Sequence, residues 1–352
     1  MTPVTTAAAP ATMDDVAALA GVSTSTVSRA LRDSPLISPG TRERVRSAAS
    51  ELDFALSRTA SALATGRLGR VGLLVSGPLN TWFNSSVLDA AYATLREAGQ
   101  ELVIYSTKSA ADRAQFFATL PAERNVDALI VASFALTADE YARLAELSVP
   151  VVYLNQQVEG SACVFIDDAS AAATGARHLI NLGHRRIAYI ATRDPAGFTF
   201  SAARRFDGVQ QAVELHNQAY ATDPVDTLAV TVEATGGGPE VGPLAVGQLL
   251  SGTFLPTAVI TESDEVAMSL LPALQRAGLR VPNALSVLGF DDNTLAPLFD
   301  LTTVAQPVAE LGHTAARAAL DLTRASPGHL DQHHQQLATR LVLRGSTAVP
   351  RP

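Results

Sequence analysis

A cluster of polar side chains near the start of the chain has the chemistry needed to contact nucleic acid. Between residues 24 and 29 lie four hydroxyls and one guanidinium, on Thr24, Ser25, Thr26, Ser28 and Arg29. These groups suit hydrogen bonds to phosphate oxygens and to the edges of DNA bases. An inert surface helix would more often carry Glu and Lys, so the cluster predicts a DNA-contacting surface.

The residues around this cluster predict two helices joined by a tight turn. Ala17 is small enough for two helices to cross closely, Gly21 suits the left-handed turn between them, and Val27 fills the crossing. Ser23 is placed to cap the second helix. This spacing is typical of a helix-turn-helix. The alternative is a helical hairpin that binds no nucleic acid, which the hydroxyl-rich face makes less favoured. A third helix is predicted from Ser38 and Pro39.

Charge is distributed unevenly along the chain. The 352 residues carry a net charge of −8, but residues 1–70 hold eight arginines against six acids, which gives +2 for this segment and −10 for the remainder. A mildly basic head on an acidic body fits a small DNA-binding domain carried by a sensor.

The composition predicts a cytoplasmic protein with more than one domain. Hydrophobic residues make up 47% of the chain and charged residues 17%, as in well-patterned globular proteins. The single cysteine, Cys163, permits no internal disulfide and fits a reducing compartment. The first twelve residues lack a basic start and an apolar run, so no signal peptide is predicted. The apolar runs are shorter than the roughly 20 residues of a membrane span.

From Arg70 onward, short apolar strands alternate with helical stretches, beginning with Val71–Val75 and ending with Ser286–Leu288. This alternation predicts doubly wound parallel sheets, and there are too many units for one sheet. The predicted fold class is therefore α/β, with an N-terminal all-α headpiece and a two-lobed core. Such sheets bind ligands in the crevice outside their strand ends.

Enzyme motifs are missing from the sequence. It contains no phosphate-binding loop, no GxSxG, no HExxH and no CxxC. The glycines at 236–238 precede Pro239 and indicate a surface loop. His178 and His184 lie in a regular packing context and are interpreted as structural. We therefore predict no catalytic residues, no cofactor and no metal site.

The runs TMDDVAALAGVSTSTVSRAL (residues 12–31) and ISPGTRERVRSAASELDFALSRTASALATGRLGRVGLLV (37–75) resemble the LacI/GalR family of bacterial transcription regulators. The resemblance extends through the core to about Leu322, in segments such as FIDDASAAATGARHLINLGHRRIAYI (165–190) and ARRFDGVQQAV (203–213). It implies a periplasmic-binding-protein-like core that binds a small-molecule effector between its lobes.

The resemblance also implies which residues contact DNA. Thr24 and Ser25 open the recognition helix, and Leu63 is the hinge-helix leucine that wedges into the minor groove. The sequence departs from the family at Leu56-Ser57, where Pro-Asn is usual, and at Ser61 and Ala64, where longer polar residues are common. The predicted DNA contacts are Thr12, Ser23, Thr24, Ser25, Thr26, Ser28, Arg29, Ser57, Ala60 and Leu63.

For the effector, the resemblance implies that Arg205 points into the cleft and that Asp291 is an acidic ligand contact at a strand end. Several residues have a structural alternative. Arg205 would otherwise form an ion pair within its lobe, Asp264 would cap a helix, and two aromatic residues would close the crevice as core. The predicted effector contacts are Trp82, Phe83, Ser133, Asn155, Ile166, Arg205, Ser263, Asp264 and Asp291.

These features predict an N-terminal tail (1–11), a helix-turn-helix domain (12–56), a hinge segment (57–69) and an effector-binding core (70–344). Lobe 1 is expected at about 70–166 and 296–325, and lobe 2 at about 167–295 and 326–344.

The predicted function is a sequence-specific transcriptional regulator, a repressor, that binds palindromic double-stranded operator DNA as a homodimer under control of a sugar-like effector. A higher oligomer is the alternative assembly, and no membrane partner is expected. The alternative functions are a solute-binding protein for transport and a sugar-modifying enzyme that uses the same cleft.

Overall fold

The computed structural model describes residues 11–31, 34–54, 67–133, 135–193, 201–234, 238–324 and 334–351. The chain divides into two compact units, residues 1–69 and 70–352. The described part of the first unit is helical, and the second unit contains two six-stranded sheets.

The first unit is built from three helices packed around a small apolar core. Val16, Val27 and Val45 are fully buried at its centre, one from each helix. Gly21 follows the first helix in the left-handed conformation, with φ of +68°, as its place in the sequence predicts. The helices are α1 (Met13–Ala20), α2 (Thr24–Leu31) and α3 (Pro39–Glu51).

Side-chain caps determine where the helices of this unit begin. Thr12 and Asp15 form a reciprocal capping box at the start of α1. The hydroxyl of Ser38 accepts from the backbone N–H of Thr41 at the start of α3, and Pro39 occupies the first helical position, as predicted.

The first lobe of the core is a six-stranded sheet in which every neighbouring pair is parallel, in the order β11-β5-β4-β3-β1-β2. Its central strand β3 reads ALIVA and is buried throughout, as expected for a sheet covered on both faces. The strands are β1 (Arg70–Ser76), β2 (Glu101–Thr107), β3 (Ala128–Ala132), β4 (Val151–Leu154), β5 (Ala162–Phe165) and β11 (His334–Gln336).

The second lobe repeats this arrangement in the order β12-β10-β9-β8-β6-β7. Only β12 is antiparallel to its neighbour. The strands are β6 (Arg186–Arg193), β7 (Asp226–Glu233), β8 (Ala258–Thr261), β9 (Ser286–Asp291), β10 (Thr302–Ala305) and β12 (Arg340–Val342). The two doubly wound sheets confirm the predicted fold class.

The helices cover these sheets and form most of the connections between their parallel strands. The exception between β4 and β5 is residues 155–161, which contain no helix. A short 3₁₀ turn, η1 (Ala296–Phe299), precedes β10. The helices are α4 (Trp82–Glu97), α5 (Ala110–Thr119), α6 (Ala122–Asn125), α7 (Ala138–Ala145), α8 (Asp168–Asn181), α9 (Ser201–Ala219), α10 (Val241–Leu250), α11 (Asp264–Arg276) and α12 (Val308–Arg324).

The crossings between the lobes lie later in the chain than predicted. β10 pairs in parallel with β9, so residues 302–305 belong to lobe 2 and not to lobe 1. β11 pairs in parallel with β5, so residues 334–336 belong to lobe 1 and not to lobe 2. The predicted boundaries at 296 and 326 are therefore wrong. Because these strands have only three or four residues, tertiary pairing and not local pattern decides which sheet they join.

Gly208 allows helices α8 and α9 to pack closely. A Cβ atom at this position would lie 2.0 Å from the backbone oxygen of Ala169. We expect Gly208→Ala to force the two helices apart and to lower the free energy of unfolding by about 1–3 kcal/mol. Urea denaturation of the variant checks this, with Gly247→Ala as the control because a Cβ there meets nothing within 4 Å. Equal losses in both variants would contradict this packing account.

Two predictions made from composition concern Cys163 and membrane insertion. The thiol of Cys163 is fully buried and unbridged, and burial raises its pKa. Among the residues that the structure describes, no helix combines the length and apolar character needed to cross a bilayer.

Candidate functional site

Helix α2 presents the predicted DNA-contacting residues on one exposed face. Val27 and Ala30 are buried against the other two helices, while Thr24, Ser25 and Arg29 are exposed. Thr26 and Ser28 are half-buried at the edges of this face. The unit therefore offers a short polar helix whose opposite side is held by an apolar core, which is the arrangement that a major-groove recognition helix needs.

A hydroxyl network orders the start of α2. The Ser23 hydroxyl accepts from the backbone N–H of Thr26 at 3.3 Å, so Ser23 caps the helix as predicted. The same hydroxyl lies 2.9 Å from the hydroxyls of Ser25 and Thr26. Thr12 is exposed but uses its hydroxyl in the capping box of α1, where it donates to Asp15 at 2.7 Å. The other three predicted contacts, Ser57, Ala60 and Leu63, lie outside the described residues.

In the core, Arg205 is buried at the carboxyl edge of the second sheet. Its Nε donates to Asp168 at 2.8 Å, and its Nη1 donates to the backbone oxygen of Glu262. Asp291 lies 3.8 Å away, and the guanidinium carbon lies 3.7 Å from the ring centre of Phe290. The structure thus forms the lobe-internal ion pair that the sequence left as an alternative, and it places Arg205 beside Asp291.

Asp291 ends β9 with an unusual backbone conformation. Its φ is +129°, and its carboxylate accepts from Nε2 of Gln306 at 2.6 Å. Burial raises the pKa of Asp291 well above its usual value, while the nearby Arg205 acts in the opposite direction. Gln306 links this carboxylate to the segment that crosses between the lobes. Gln306 was not among the residues predicted from the sequence.

Asp264 has a structural role that the sequence did not predict. The helix cap is Ser263, whose hydroxyl accepts from the backbone N–H of Val266, so the predicted cap at Asp264 is wrong. Asp264 is fully buried and its two carboxylate oxygens accept from the Thr303 hydroxyl at 2.7 Å and from the Asn293 N–H at 2.8 Å. The side chain therefore ties α11 to β10 and to the loop after β9.

The buried position of Asp264 predicts a pH-dependent stability. Burial raises the pKa of Asp264 from 3.8 to about 7. Between these values the unfolded chain releases this proton and the folded chain keeps it, so stability is lost as pH rises. We expect roughly 2–4 kcal/mol of the pH 4 to pH 8 decline in unfolding free energy to disappear in Asp264→Asn. Urea denaturation at several pH values checks this, with exposed Asp89→Asn as the control. A slope as steep as that of the wild type would contradict it.

Hydrogen bonds between described residues connect the lobes on both sides of the cleft. Nδ2 of Asn155, after β4, donates to the hydroxyl of Ser201 at the start of α9, over 3.3 Å. On the opposite side, the backbone N–H of Trp82 donates to Oε1 of Glu265, also over 3.3 Å. A carboxylate at the first turn of α4 is favoured by the helix dipole. Both hydrogen bonds are long, which is compatible with a cleft that opens.

Two cavities lie beside these contacts and contain several of the predicted residues. The larger, of about 570 Å³, is lined by Trp82, Asp292 and Gln306 among others. The smaller, of about 240 Å³, is lined by the apolar residues Phe165 and Ile166 and by seven polar residues. The polar residues are Asn155, Gln156, Gln157, Asp167, Asp168, Arg204 and Gln336. Polar groups converging on a concave surface are what a small polar ligand requires.

Two more predicted effector residues occupy less direct positions. Phe83 is half-buried and packs against the first-lobe core, in line with its structural alternative. Ser133 follows β3 with φ of +46°, and its buried hydroxyl has no hydrogen-bond partner.

Glu262 is a site residue that the sequence analysis missed. It directly follows β8 and is buried, and its Oε1 accepts from the hydroxyl of Thr192. Its Oε2 is also buried and has no hydrogen-bond partner. Its position in the sequence could have identified it, because a polar residue directly after a buried strand lies at the ligand-binding edge of a parallel sheet.

Comparison with protein families gives two matches that together span most of the chain. Residues 12–56 match the model described as "Bacterial regulatory proteins, lacI family". Residues 176–347 match the model described as "Periplasmic binding protein-like domain". The first range contains α1 to α3, and the second contains most of lobe 2.

Individual relatives are similar over nearly their whole length. The transcriptional regulator GalS of Salmonella typhimurium is 32% identical over 91% of each chain. The transcriptional repressor PurR of Vibrio atlanticus is 30% identical over 88% of this chain and 91% of its own.

Two solved structures are similar to this one in fold. A lac repressor dimer bound to operator and the anti-inducer ONPF is 27% identical, covers 97% of this chain and 100% of its own, and has a TM-score of 0.80. A CelR–cellobiose complex is 29% identical, covers 96% of this chain and 99% of its own, and has a TM-score of 0.67.

Proposed function

The chain belongs to the LacI family of DNA-binding transcriptional regulators, and we propose that it is a repressor controlled by a small sugar-like effector. The observation that carries this proposal is the exposed polar face of α2 on a packed helix-turn-helix, in the same chain as a two-lobed core with a polar cleft. In this proposal the helix-turn-helix unit recognises the DNA sequence and the two-lobed core binds the ligand.

We propose that two copies of α2 enter successive major grooves of an operator with inverted symmetry. A dimer with one recognition helix per subunit matches half-sites about one helical turn apart. Thr24, Ser25 and Arg29 then supply base and phosphate contacts. The lac repressor structure described above is a dimer on its operator, which supports this arrangement here.

The proposed dimer contact includes the exposed apolar surface around η1. Leu295, Leu298 and Phe299 are 49%, 80% and 40% exposed. Three large exposed apolar side chains within five consecutive residues are typical of a surface that a partner covers. A second copy of this chain is the proposed partner, and sedimentation velocity should give twice the monomer mass.

We propose that the effector binds between the lobes, beside Arg205, Asp291 and Asn155. Hydroxyl groups of a sugar match the mixed donors and acceptors of this edge, and cellobiose in the CelR complex supports a saccharide-like ligand. Binding is expected to alter the lobe contacts made by Asn155 and Trp82 and thereby the DNA affinity of the headpiece, which is a coupling between two sites.

The two relatives named above, GalS and PurR, are transcriptional regulators. We propose that this chain has no catalytic activity and acts in the cytoplasm, where its DNA target lies. Recovery of unchanged ligand after prolonged incubation would agree with this, whereas turnover of a bound sugar would favour the sugar-modifying alternative.

The proposal is tested by selecting duplexes from a random DNA pool with the full chain. The expected result is enrichment of one sequence with inverted symmetry. A pool that stays random after repeated selection at physiological salt would contradict the proposed function.

A further inference from the structure

The cleft edge of the second lobe contains a buried carboxylate that is only half satisfied. Oε1 of Glu262 accepts from Thr192, but Oε2 is buried without a donor. Leaving a buried charged oxygen unpaired is costly, and buried polar atoms in folded proteins nearly always have a partner. A ligand that supplies a donor at this point would remove the cost.

Arg205 compensates the charge of Glu262 only in part. Its Nη1 donates to the backbone oxygen of Glu262, and not to the carboxylate. Its charge is already shared between Asp168 at 2.8 Å and Asp291 at 3.8 Å. Among these groups there are three buried carboxyl groups for one buried guanidinium, so they cannot all ionise with a cationic partner of their own.

Two other polar residues at the cleft also present acceptors without donors. Gln306 donates through Nε2 to Asp291, which leaves its buried Oε1 unpaired. Asn155 donates through Nδ2 to Ser201, which leaves its buried Oδ1 unpaired. These two residues line the larger and the smaller cavity respectively. One buried donor at the smaller cavity, Nε2 of Gln156, also lacks a partner. The unpaired acceptors outnumber it, so the cleft favours a ligand that carries several donors together with hydroxyl groups that can also accept.

We propose that the effector is a small hydroxylated amine, such as an amino sugar, and that Glu262 binds its protonated amino group. This inference rests on the proposed function, because it assumes that the cleft is the effector site. A protonated amine supplies several donors and one positive charge, which matches both the unpaired oxygens and the excess of carboxylates. A sugar phosphate or a carboxylic acid would bring a further negative charge beside these buried acids, so we expect it to be disfavoured at this edge.

The electrostatics of the site agree with this assignment. Burial raises the pKa of both Glu262 and Asp168, because no neighbouring cation fully offsets the loss of hydration. A bound ammonium group would favour their ionised forms. Binding of the amine should therefore release protons, and its measured heat should vary with the ionisation enthalpy of the buffer.

The first test is a thermal-shift and calorimetric screen of the full chain with matched compounds. The panel contains hexoses, the corresponding 2-amino-2-deoxyhexoses, their N-acetyl derivatives and hexose phosphates, together with aminocyclitols and linear hydroxylated amines. At least one cationic compound is expected to bind roughly tenfold or more tightly than its neutral counterpart, with no binding of anions. A screen in which only neutral or anionic compounds bind, or in which no amine binds, would overturn the proposal.

The second test uses Glu262→Gln, which removes the charge and keeps the size. Affinity for the cationic ligand is expected to fall by at least about 30-fold, with little change for its neutral counterpart. The control is Glu233→Gln, an exposed position at the end of β7 in the same sheet. Glu262→Asp, which keeps the charge, provides a second variant if Glu262→Gln unfolds. Unchanged affinity in Glu262→Gln would overturn the assignment.

Failure of this inference and failure of the proposed function give different results. If a neutral sugar binds and changes DNA affinity, the proposed function stands and the amine assignment is wrong. If an amine binds through Glu262 but leaves DNA affinity unchanged, the ligand class is right and the proposed coupling is wrong.

Discussion

Arg205→Ala is expected to abolish the effector response while DNA binding by the unliganded protein persists. Arg205 holds Asp168 and Asp291 together at the cleft edge, so its removal separates the groups that position a ligand. We expect effector affinity to fall at least about 100-fold, and the free energy of unfolding to fall by about 3 kcal/mol because two buried acids lose their partner. Isothermal titration calorimetry and urea denaturation measure the two effects.

The matched control for this variant is Arg177→Ala, an exposed arginine on α8 in the same lobe. It loses the same charge without touching the cleft, so both its ligand affinity and its stability should stay close to wild type. Operator affinity of unliganded Arg205→Ala should remain within about twofold of wild type, since the proposed coupling acts through the bound effector. An effector response that survives in Arg205→Ala would show that the ligand binds elsewhere.

Thr24→Ala combined with Arg29→Ala is expected to remove sequence-specific DNA binding and leave the fold intact. Both side chains are exposed on α2, so their loss should change stability by less than about 0.5 kcal/mol. Each good base contact contributes about 1–3 kcal/mol, and a dimer loses every contact twice. The affinity for a selected operator should fall at least about 100-fold, as measured by fluorescence anisotropy.

A control with the same charge loss separates specificity from general electrostatics. Arg44 lies on the exposed side of α3, and Arg44→Ala removes one positive charge from the same unit. It should weaken binding to selected and scrambled duplexes by similar factors, with a shallower salt dependence. If the Thr24 and Arg29 double variant behaves in the same way, α2 does not read the DNA sequence.

The helix-turn-helix was predictable because short-range signals determine it. Gly21 provides the left-handed turn, Ser23 and Ser38 cap the helices that follow them, and Val27 fills the crossing. Each of these choices depends on neighbours only a few residues away. The strand and helix alternation of the core was predictable for the same reason, since local periodicity separates the two element types.

The lobe boundaries and the details of the cleft depend on partners far apart in sequence. β11 joins a strand that precedes it by about 170 residues, and nothing in its three residues specifies that pairing. Asp264 was predicted to contact the effector, with a helix cap as the alternative, and its partner Thr303 was not foreseen because it lies 39 positions later. Glu262 was missed because its significance depends on Thr192 and Arg205, which only the fold brings to it.

The measurement that tests the central claim most directly is a fluorescence anisotropy titration of the full chain. It compares a selected inverted-repeat duplex with a scrambled duplex of equal length and composition, at one salt concentration, with and without a compound that binds the core. The account predicts at least about 10³-fold tighter binding of the selected duplex, and a change of at least about fivefold when the compound is added. Equal affinity for both duplexes, or a bound compound that leaves the affinity unchanged, would contradict it.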